Sequence, residues 1–233
     1  MAPTNPTIRA RATANLPAPA NLYRDAMAAM ESLAAISSCH RGQGIYSHED
    51  STENWYRIVS GMARKSTLLI DGRRRILDFL LPGDFFGFSA REKRVSDVEA
   101  VIEGTIVARY PRRFMESLAD EDPEVNRQIR RMAYESISRL QARVLILGRP
   151  TALNKVCAFL MEMADRTDRK QSEVIVLPMS RYDIADYLAL SVETVSRTLT
   201  HLRKRGAITL PDKHRVTITN RRTLEGGSSH GSC

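Results

Sequence analysis

The chain has 233 residues, and its 35 lysines and arginines against 27 aspartates and glutamates give a formal net charge of +8 and an isoelectric point near 9.7. A hydrophobic fraction of 42% is enough to build one large or two ordinary cores, and the basic balance favours a polyanionic partner. No apolar run is long enough for a membrane span or a secretory signal, so no membrane partner is expected.

The first domain is predicted to combine a helix with short strands. Residues 1–20 are rich in proline, alanine, threonine and asparagine, which is typical of a disordered arm. Apolar side chains at helical spacing predict a helix over residues 21–36. From about 38 to 111, short β-branched and aromatic runs alternate with turn signals, and Asp71-Gly72 predicts a two-residue hairpin turn. This pattern predicts an antiparallel barrel or sandwich within a domain at residues 21–121, with Trp55 in its core.

A long helix is predicted next, over residues 122–148. Asp122 suits its N-cap and Pro123 its first turn, and no glycine or proline follows until Gly148. Such a helix is about 37 Å long. Apolar residues at steps of three and four form a coiled-coil-like stripe, namely Ile129, Ala133, Ile137, Leu140, Val144 and Leu147. We interpret the stripe as a dimerisation seam between two chains; the alternative is that the helix packs only on its own barrel.

The remaining chain is predicted to be a winged helix-turn-helix over residues 149–220. An amphipathic helix opens at Thr151, a polar loop covers residues 165–172, and residues 173–178 form a strand. Ser180 and Asp183 then form a capping box. Ser191 caps a second helix that Gly206 ends, with Val195, Leu199 and Leu202 facing inward. Residues 207–210 and 215–219 read as a hairpin wing.

Two capped helices with a tight turn between them are typical of DNA-binding proteins, in which the second helix enters the major groove. Glu193 can accept from cytosine, Arg197 can pair with guanine, and Ser196 suits either base. Further contacts, to phosphates or to a thymine methyl, are expected from Arg181, Val192, Thr194, Thr200, His201, Arg203, Lys204 and Arg205. The alternative is a solvated helix start whose Glu193–Arg197 pair contributes only a few tenths of a kcal/mol.

Two stretches resemble the Crp/Fnr family of bacterial transcription regulators, and more narrowly its FixK-like branch. WYRIVSGMARKSTLLIDGRRRILDFLLPGDFFGF is similar to the family's β-roll, and MSRYDIADYLALSVETVSRTLTHLRKRGAI to its helix-turn-helix. The pattern of Val192, Glu193, Ser196 and Arg197 matches the Fnr-type recognition signature. The resemblance covers about residues 30–220.

The resemblance implies an α+β fold: an N-terminal antiparallel β-roll like a cyclic-nucleotide-binding domain, a long dimerisation helix and a C-terminal winged helix-turn-helix. It implies a cytoplasmic bacterial homodimer, mainly an activator, on double-stranded DNA carrying an inverted repeat like TTGAT-N4-ATCAA. It also implies control of low-oxygen or nitrogen-fixation genes. Residues 165–172 and 70–75 sit where family members touch RNA polymerase; both could instead be ordinary exposed loops.

Two departures from the family predict that no cofactor or small effector is needed. The iron–sulfur oxygen sensor needs four thiolates, and Cys39 is alone in the first 150 residues. Cyclic-nucleotide binders hold phosphate with a Gly-Glu step and a later Arg-Ser or Arg-Thr pair. Here Phe88 follows Gly87, and Val95-Ser96-Asp97 lies near the arginine position. Apolar Phe88 and acidic Asp97 are poor hosts for a phosphate, although Arg91 or Arg94 could compensate. The alternative is a sensor gated by a cyclic nucleotide or by thiol oxidation.

The remaining residues of note are the cysteines and an arginine triplet. Cys157 and Cys39 are expected to be structural and Cys233 to lie without a role in a flexible tail at residues 221–233, either native or an expression remnant. Arg73, Arg74 and Arg75 suggest a solvated face. No metal-ligand spacing and no nucleophile–base pair is found, so no metal site and no enzyme activity is predicted.

Overall fold

A computed structural model describes residues 20–167 and 174–229, with side chains described from Ala26 to Gly226 outside the same gap. The predicted arm at residues 1–20 therefore lies outside the described residues except at its last position, and Cys233 lies outside them as well. The helices are α1 (Ala20–Glu31), α2 (Arg112–Glu121), α3 (Pro123–Leu147), α4 (Ala152–Thr167), α5 (Arg181–Leu188), α6 (Val192–Lys204) and α7 (Arg221–Ser229).

Antiparallel sheets form the rest of the described fold. The strands are β1 (Ala35–Cys39), β2 (Gly44–Tyr46), β3 (Asn54–Ser60), β4 (Ala63–Leu68), β5 (Arg74–Leu80), β6 (Phe85–Phe86), β7 (Asp97–Ala100), β8 (Thr105–Pro111), β9 (Val174–Val176), β10 (Ile208–Thr209) and β11 (Arg215–Ile218). Two four-stranded sheets, ordered β1-β8-β3-β6 and β2-β7-β4-β5, form the β-roll, and β10-β11-β9 forms the wing. The predicted fold class is confirmed.

Buried side chains explain why these elements hold together. Within the roll, Tyr46, Tyr56 and Phe86 pack their rings against one another at centroid distances of 5.4–6.1 Å. Trp55 is buried as predicted, but in a separate cluster with Met30 of α1 and Val125 of α3 instead of the core of the roll. The helix α3 begins as predicted, because the Asp122 carboxylate accepts from the Glu124 amide at 2.8 Å.

Two predictions at the start of the β-roll are wrong in length. The first helix ends at Glu31 rather than near residue 36, because the next residues pair with β8, starting with Ala35 opposite Arg109. The turn between β4 and β5 has five residues, 69–73, instead of two. The Leu69 amide donates to the Arg73 carbonyl at 2.9 Å, and Gly72 has a φ of +79° that suits glycine.

The C-terminal predictions also need correction. The chain after residue 220 was predicted to be a flexible tail, but α7 covers Arg221–Ser229 and Leu224 is fully buried beside α4. Leu224 is an apolar residue within this low-complexity segment, and the burial of its side chain offsets the conformational entropy lost when the glycine-rich segment is ordered. The polar loop predicted at residues 165–172 starts later, since α4 continues to Thr167; the rest of it lies outside the described residues.

Candidate nucleic-acid interface

The helix α5 has a well-defined start and stop. The Ser180 hydroxyl accepts from the Asp183 amide at 3.1 Å, and the Asp183 carboxylate accepts from the Ser180 amide at 3.0 Å, so the predicted capping box is confirmed. The helix stops at Ala189, which adopts a left-handed conformation with φ of 55°. This turn reverses the chain in the few residues before α6.

The helix α6 begins at a second cap, as the sequence predicts. The Ser191 hydroxyl accepts from the Thr194 amide at 3.2 Å. The inward side chains Val195, Leu199 and Leu202 are buried, which confirms their predicted orientation. Their burial against α4 and α5 fixes the rotation of α6 about its own axis.

The opposite side of α6 is an exposed polar row. Glu193, Ser196 and Arg197 are exposed, and they follow one another at positions i, i+3 and i+4. A shallow depression beside them is lined by Ser196, Arg197, Thr200, His201 and Lys204. The structure therefore brings most of the predicted contact residues onto one face, the arrangement that reading a groove requires.

The charges on this face favour a nucleic-acid partner. The pKa of Glu193 is lowered by hydrogen bonds from its own backbone amide and from Ser191, and further by the charge of Arg197. Glu193 is therefore an acceptor at neutral pH. At the other end of α6, Arg203, Lys204 and Arg205 are all exposed in or just after the last turn, where cations also suit the helix dipole.

The other predicted contact residues differ in exposure. Val192, Thr194 and Thr200 are half-buried, and the hydroxyl of Thr194 is 2.9 Å from that of Ser191. Arg181, at the start of α5, is half-buried, and burial lowers its pKa. Next to it, Tyr182 is exposed, and it is a neighbour of the interface that the sequence reasoning did not single out.

The predicted seam on α3 is exposed over its second half. Ile137, Leu140 and Val144 are exposed, whereas Ala133 and Leu147 are half-buried. Ile129 packs against the buried cluster of its own chain. The inward side of α3 is a different one, formed by residues such as Met132 and Ile146.

The β-roll interior holds a buried arginine. The Arg94 guanidinium donates to the carbonyls of Gly87 at 2.5 Å, Asn54 at 2.5 Å and Ser51 at 3.2 Å. It also lies over the Tyr46 ring, 4.5 Å from the centroid. Its donors are thus directed at backbone of its own chain.

Two other residues singled out in the sequence beside this arginine are Val95 and Phe88. The Val95 side chain is exposed, and the Phe88 ring packs on Trp55 at a centroid distance of 5.1 Å. Within residues 20–167 and 174–229, no group of three or more His, Cys, Asp or Glu side chains is placed to hold a metal ion. No helix of this described part is long and apolar enough to cross a membrane.

One functional contact was missed from the sequence. Arg74 and Arg75, expected on a solvated face, instead reach α5: Arg74 donates to Asp186 at 2.9 Å and Arg75 to the Asp186 carbonyl at 3.1 Å. Arg73 alone behaves as expected, pairing with Asp71 in its own turn. No local signal in an arginine triplet shows which member faces another domain.

Comparisons with known proteins agree with this architecture. The cyclic nucleotide-binding domain family matches residues 37–122, and the Crp-like helix-turn-helix domain family matches residues 154–226. The nitrogen fixation regulation protein FixK of Azorhizobium caulinodans is 40% identical over 187 residues, which cover 79% of this chain and 75% of that protein.

Two further comparisons extend the likeness. The transcriptional activator protein FnrL of Cereibacter sphaeroides is 30% identical over 200 residues, covering 83% of this chain and 80% of FnrL. The solved structure of FixK2 from Bradyrhizobium japonicum matches with a TM-score of 0.78 at 35% identity, over 85% of this chain and 99% of that one.

Proposed function

The chain belongs to the Crp/Fnr family of bacterial transcription regulators, in its FixK-like branch, and we propose that it activates transcription as a homodimer bound to an inverted-repeat DNA site. The observation that carries this proposal is the exposed polar row on α6. A helix that turns a row of hydrogen-bonding side chains to solvent, beside a basic C-terminal turn, is suited to a major groove lined by phosphates.

Each polar side chain in the row has a role in base reading. Arg197 donates a bidentate pair to guanine, Glu193 accepts from the amino group of cytosine, and Ser196 bonds to a neighbouring base. Phosphates are held by the side chains around them, Arg181, Thr194, Thr200, His201, Arg203, Lys204 and Arg205, while Val192 or the methyl of Thr194 meets a thymine methyl. The proposed site is TTGAT-N4-ATCAA or a close variant.

The exposed apolar residues of α3 supply the dimer seam. Ile137, Leu140 and Val144 are large apolar side chains left in water by their own chain, and their 3–4 spacing suits pairing with a second copy of the helix. A twofold axis along α3 presents the two α6 helices to successive major grooves about 34 Å apart. A palindromic site follows from that symmetry.

Activation requires a surface for RNA polymerase. The β4–β5 turn projects from the roll with Ile70 fully exposed at its tip, and apolar exposure of this kind marks interaction surfaces. We place one polymerase contact there. The second proposed contact, at residues 165–172, lies mostly outside the described residues.

Binding without a small effector is supported by Arg94. The Arg94 guanidinium is buried, donates to three carbonyls of its own chain and lies over Tyr46, so a nucleotide phosphate would have to compete with these contacts. The proposed target genes serve low-oxygen growth or nitrogen fixation, because the relatives named above regulate nitrogen fixation or are FNR-type activators.

The test is a gel-shift titration of the purified chain on the TTGAT-N4-ATCAA duplex and on a scrambled duplex of equal composition. We expect preference for the palindrome by a factor of at least about 10³, a typical ratio of specific to non-specific affinity. Equal affinity for both duplexes at physiological salt would refute the proposal.

An effector-gated sensor is the second candidate, and the match of residues 37–122 to the cyclic nucleotide-binding family favours it. Titration calorimetry with cyclic AMP and cyclic GMP separates the two candidates. We expect no binding heat at millimolar nucleotide and no change in the gel shift when nucleotide or peroxide is added. A nucleotide-dependent gain in DNA affinity would favour the sensor.

A further inference from the structure

A cluster of ion pairs connects the β-roll to α5, the first helix of the helix-turn-helix. Two arginines of the roll converge on one carboxylate oxygen of Asp183: Arg64 of β4 at 2.7 Å and Arg74 of β5 at 2.8 Å. Arg74 also pairs with Asp186 at 2.8 Å. We call these four residues, Arg64, Arg74, Asp183 and Asp186, the α5 docking cluster.

The cluster is sheltered from solvent and built into the helix cap. The Asp183 side chain is only 3% exposed, so its pairs are poorly screened by salt. Its second oxygen is the one that closes the capping box with Ser180. One carboxylate therefore starts α5 and ties it to the roll.

Aromatic packing beside the cluster continues the contact. The Tyr187 ring of α5 lies 5.1 Å from the Phe79 ring of β5 and 5.6 Å from the Phe159 ring of α4. The three rings belong to one buried cluster that runs without a break from the roll into the helix-turn-helix. A core shared in this way opposes rotation of one domain on the other.

The position of α5 determines the position of α6. The two helices are joined by Ala189, Leu190 and Ser191 alone, and Ile184 and Leu188 of α5 share the buried cluster with Val195 and Leu199 of α6. A shift of α5 on the roll is therefore transmitted to the exposed row on α6.

We infer that Arg74 and Asp186, with Arg64 and Asp183, are positioning residues for DNA recognition: they hold the recognition helix at the angle and spacing that the palindrome requires. This inference rests on the proposed function. In a dimer, two α6 helices must fit half-sites at a fixed distance, so loss of the cluster lets each helix sample wrong spacings and weakens binding.

The geometry favours positioning over inhibition. While the cluster is formed, Glu193, Ser196 and Arg197 remain exposed, so the contact does not cover the reading face. The aspartates it uses would repel phosphates if they faced DNA. Pairing them with the roll keeps that charge away from the interface.

A pair of opposite charge changes tests the inference. Arg74→Gln removes a positive charge and Asp186→Asn removes a negative one, so general attraction to DNA predicts weaker binding for the first and tighter binding for the second. Positioning predicts that both bind the palindrome at least about fivefold more weakly, the lower end of ordinary coupling energies. The double variant should be no weaker than the weaker single variant.

The neighbouring pair Arg73 and Asp71 supplies the matched controls. They carry the same charges as Arg74 and Asp186, but they lie in the exposed β4–β5 turn, and the ion pair that the described residues show for them is with each other. Arg73→Gln and Asp71→Asn should stay within about twofold of the wild type, because exposed pairs contribute little. Gel shifts without polymerase keep any polymerase contact of this turn out of the measurement.

Spacer length gives a readout that reduced stability alone would not change. Wild type, variants and controls are titrated on duplexes with four, five and six base pairs between half-sites. We expect a sharp preference for four in the wild type and the controls, and a flattened preference in Arg74→Gln and Asp186→Asn.

The outcomes separate the two proposals. Wild-type binding to the palindrome combined with equal or tighter binding by Asp186→Asn, or with an unchanged spacer preference, would overturn the positioning role alone. Wild type that ignores the palindrome would overturn the proposed function and the inference with it. Asp186 is half-exposed and caps no helix, so this variant remains informative if Arg74→Gln folds poorly.

Discussion

Arg73, Arg74 and Arg75 are consecutive in the sequence, yet the first stays with its own turn and the other two reach α5. Arg73 pairs with Asp71 in water, Arg74 pairs with two aspartates of α5, and Arg75 donates to a carbonyl of α5. Arg73 lies in the exposed β4–β5 turn, whereas Arg74 and Arg75 lie at the start of β5, which packs beside α5. The function of an arginine therefore depends on what lies opposite it.

The base contact proposed for Arg197 gives a residue-scale prediction. Arg197→Ala should weaken binding to the palindrome by about 1–3 kcal/mol and relax specificity at one base position, since a bidentate pair to guanine is lost. Fluorescence anisotropy with the palindrome and with single-base variants measures both effects. Arg41→Ala, an exposed change in the roll, is the control; an unchanged affinity in Arg197→Ala would remove Arg197 from the base-reading set.

The two described cysteines give a second residue-scale prediction. Both are buried: burial raises the pKa of Cys157 to about 11, and it also raises the pKa of Cys39. Both thiols stay protonated and shielded at neutral pH, so they should react slowly with a disulfide reagent until the chain unfolds. The reaction is followed in a Cys233→Ser variant, with unfolded protein as the control. Rapid modification of either thiol in the folded protein would favour the alternative in which thiol oxidation regulates the protein.

Apart from the buried inward side of α3, helices α3 and α7 each carry an apolar surface. On α3 that surface is exposed in the single chain, whereas on α7 it is one side chain, Leu224, buried by α4. Burial of apolar area is the common driving force, worth about 25 cal/mol per Å². The exposed surface of α3 therefore needs a partner from outside the chain, whereas Leu224 of α7 is already covered by α4.

The proposed seam predicts an effect on assembly. Val144→Glu places a charge on the exposed stripe of α3, and two such charges across a dimer interface repel each other and stay unsolvated. We expect the dimer to dissociate at least about tenfold more easily. Ser138→Glu, on exposed α3 surface outside the stripe, is the control. Sedimentation measures both variants, and a dimer unaffected by Val144→Glu would place the interface elsewhere.

The packing of α7 predicts an effect on stability. Leu224→Ala removes a fully buried side chain, and a leucine truncated in a core costs about 2–5 kcal/mol of unfolding free energy. Arg222→Ala, an exposed change in the same helix, should cost less than about 0.5 kcal/mol. Urea unfolding compares the two. Equal unfolding free energies for Leu224→Ala and Arg222→Ala would indicate that this segment is a flexible tail, as its composition suggests.

At the scale of the whole molecule, buried charges join elements that are distant in sequence. Asp78 of β5 and Asp84 meet Arg139 of α3 and Arg166 of α4; Arg139 lies 3.2 Å from Asp78 and Arg166 lies 2.6 Å from Asp84. Nearby, the Tyr187 phenol, whose pKa is raised by burial, donates to Glu162 at 3.1 Å. Roll, long helix and helix-turn-helix therefore share one polar junction.

Removing one member of this junction should be costly. Asp78→Ala leaves Asp84 as the remaining aspartate beside Arg139 and Arg166, so the buried arginines lose part of their neutralisation, at a cost of up to about 3–5 kcal/mol. Glu116→Gln breaks an exposed pair with Arg112 on α2 and should cost less than about 1 kcal/mol. Thermal and urea unfolding measure both variants. A loss below about 1 kcal/mol in Asp78→Ala would show that the junction does not hold the domains together.

Elements whose signals are local could be predicted from the amino-acid sequence. The caps at Asp122, Ser180 and Ser191 place three helix starts, because a side chain satisfies free amides within three residues of itself. The polar row of α6 follows from helical spacing alone, since the buried residues fix which side remains for solvent. The family motifs identify the class of protein for the same reason, because each motif is a contiguous stretch of sequence.

Features that depend on residues distant in sequence could be established only from the folded structure. The end of α1 was set by pairing with β8, the order in α7 by burial of Leu224, and the attachment of Arg74 by Asp183 and Asp186, more than 100 positions away. Each of these contacts forms only when segments distant in sequence meet, so neither composition nor periodicity predicts them. The sequence shows which side chains are charged or apolar, but the tertiary structure determines which group neutralises or covers each of them.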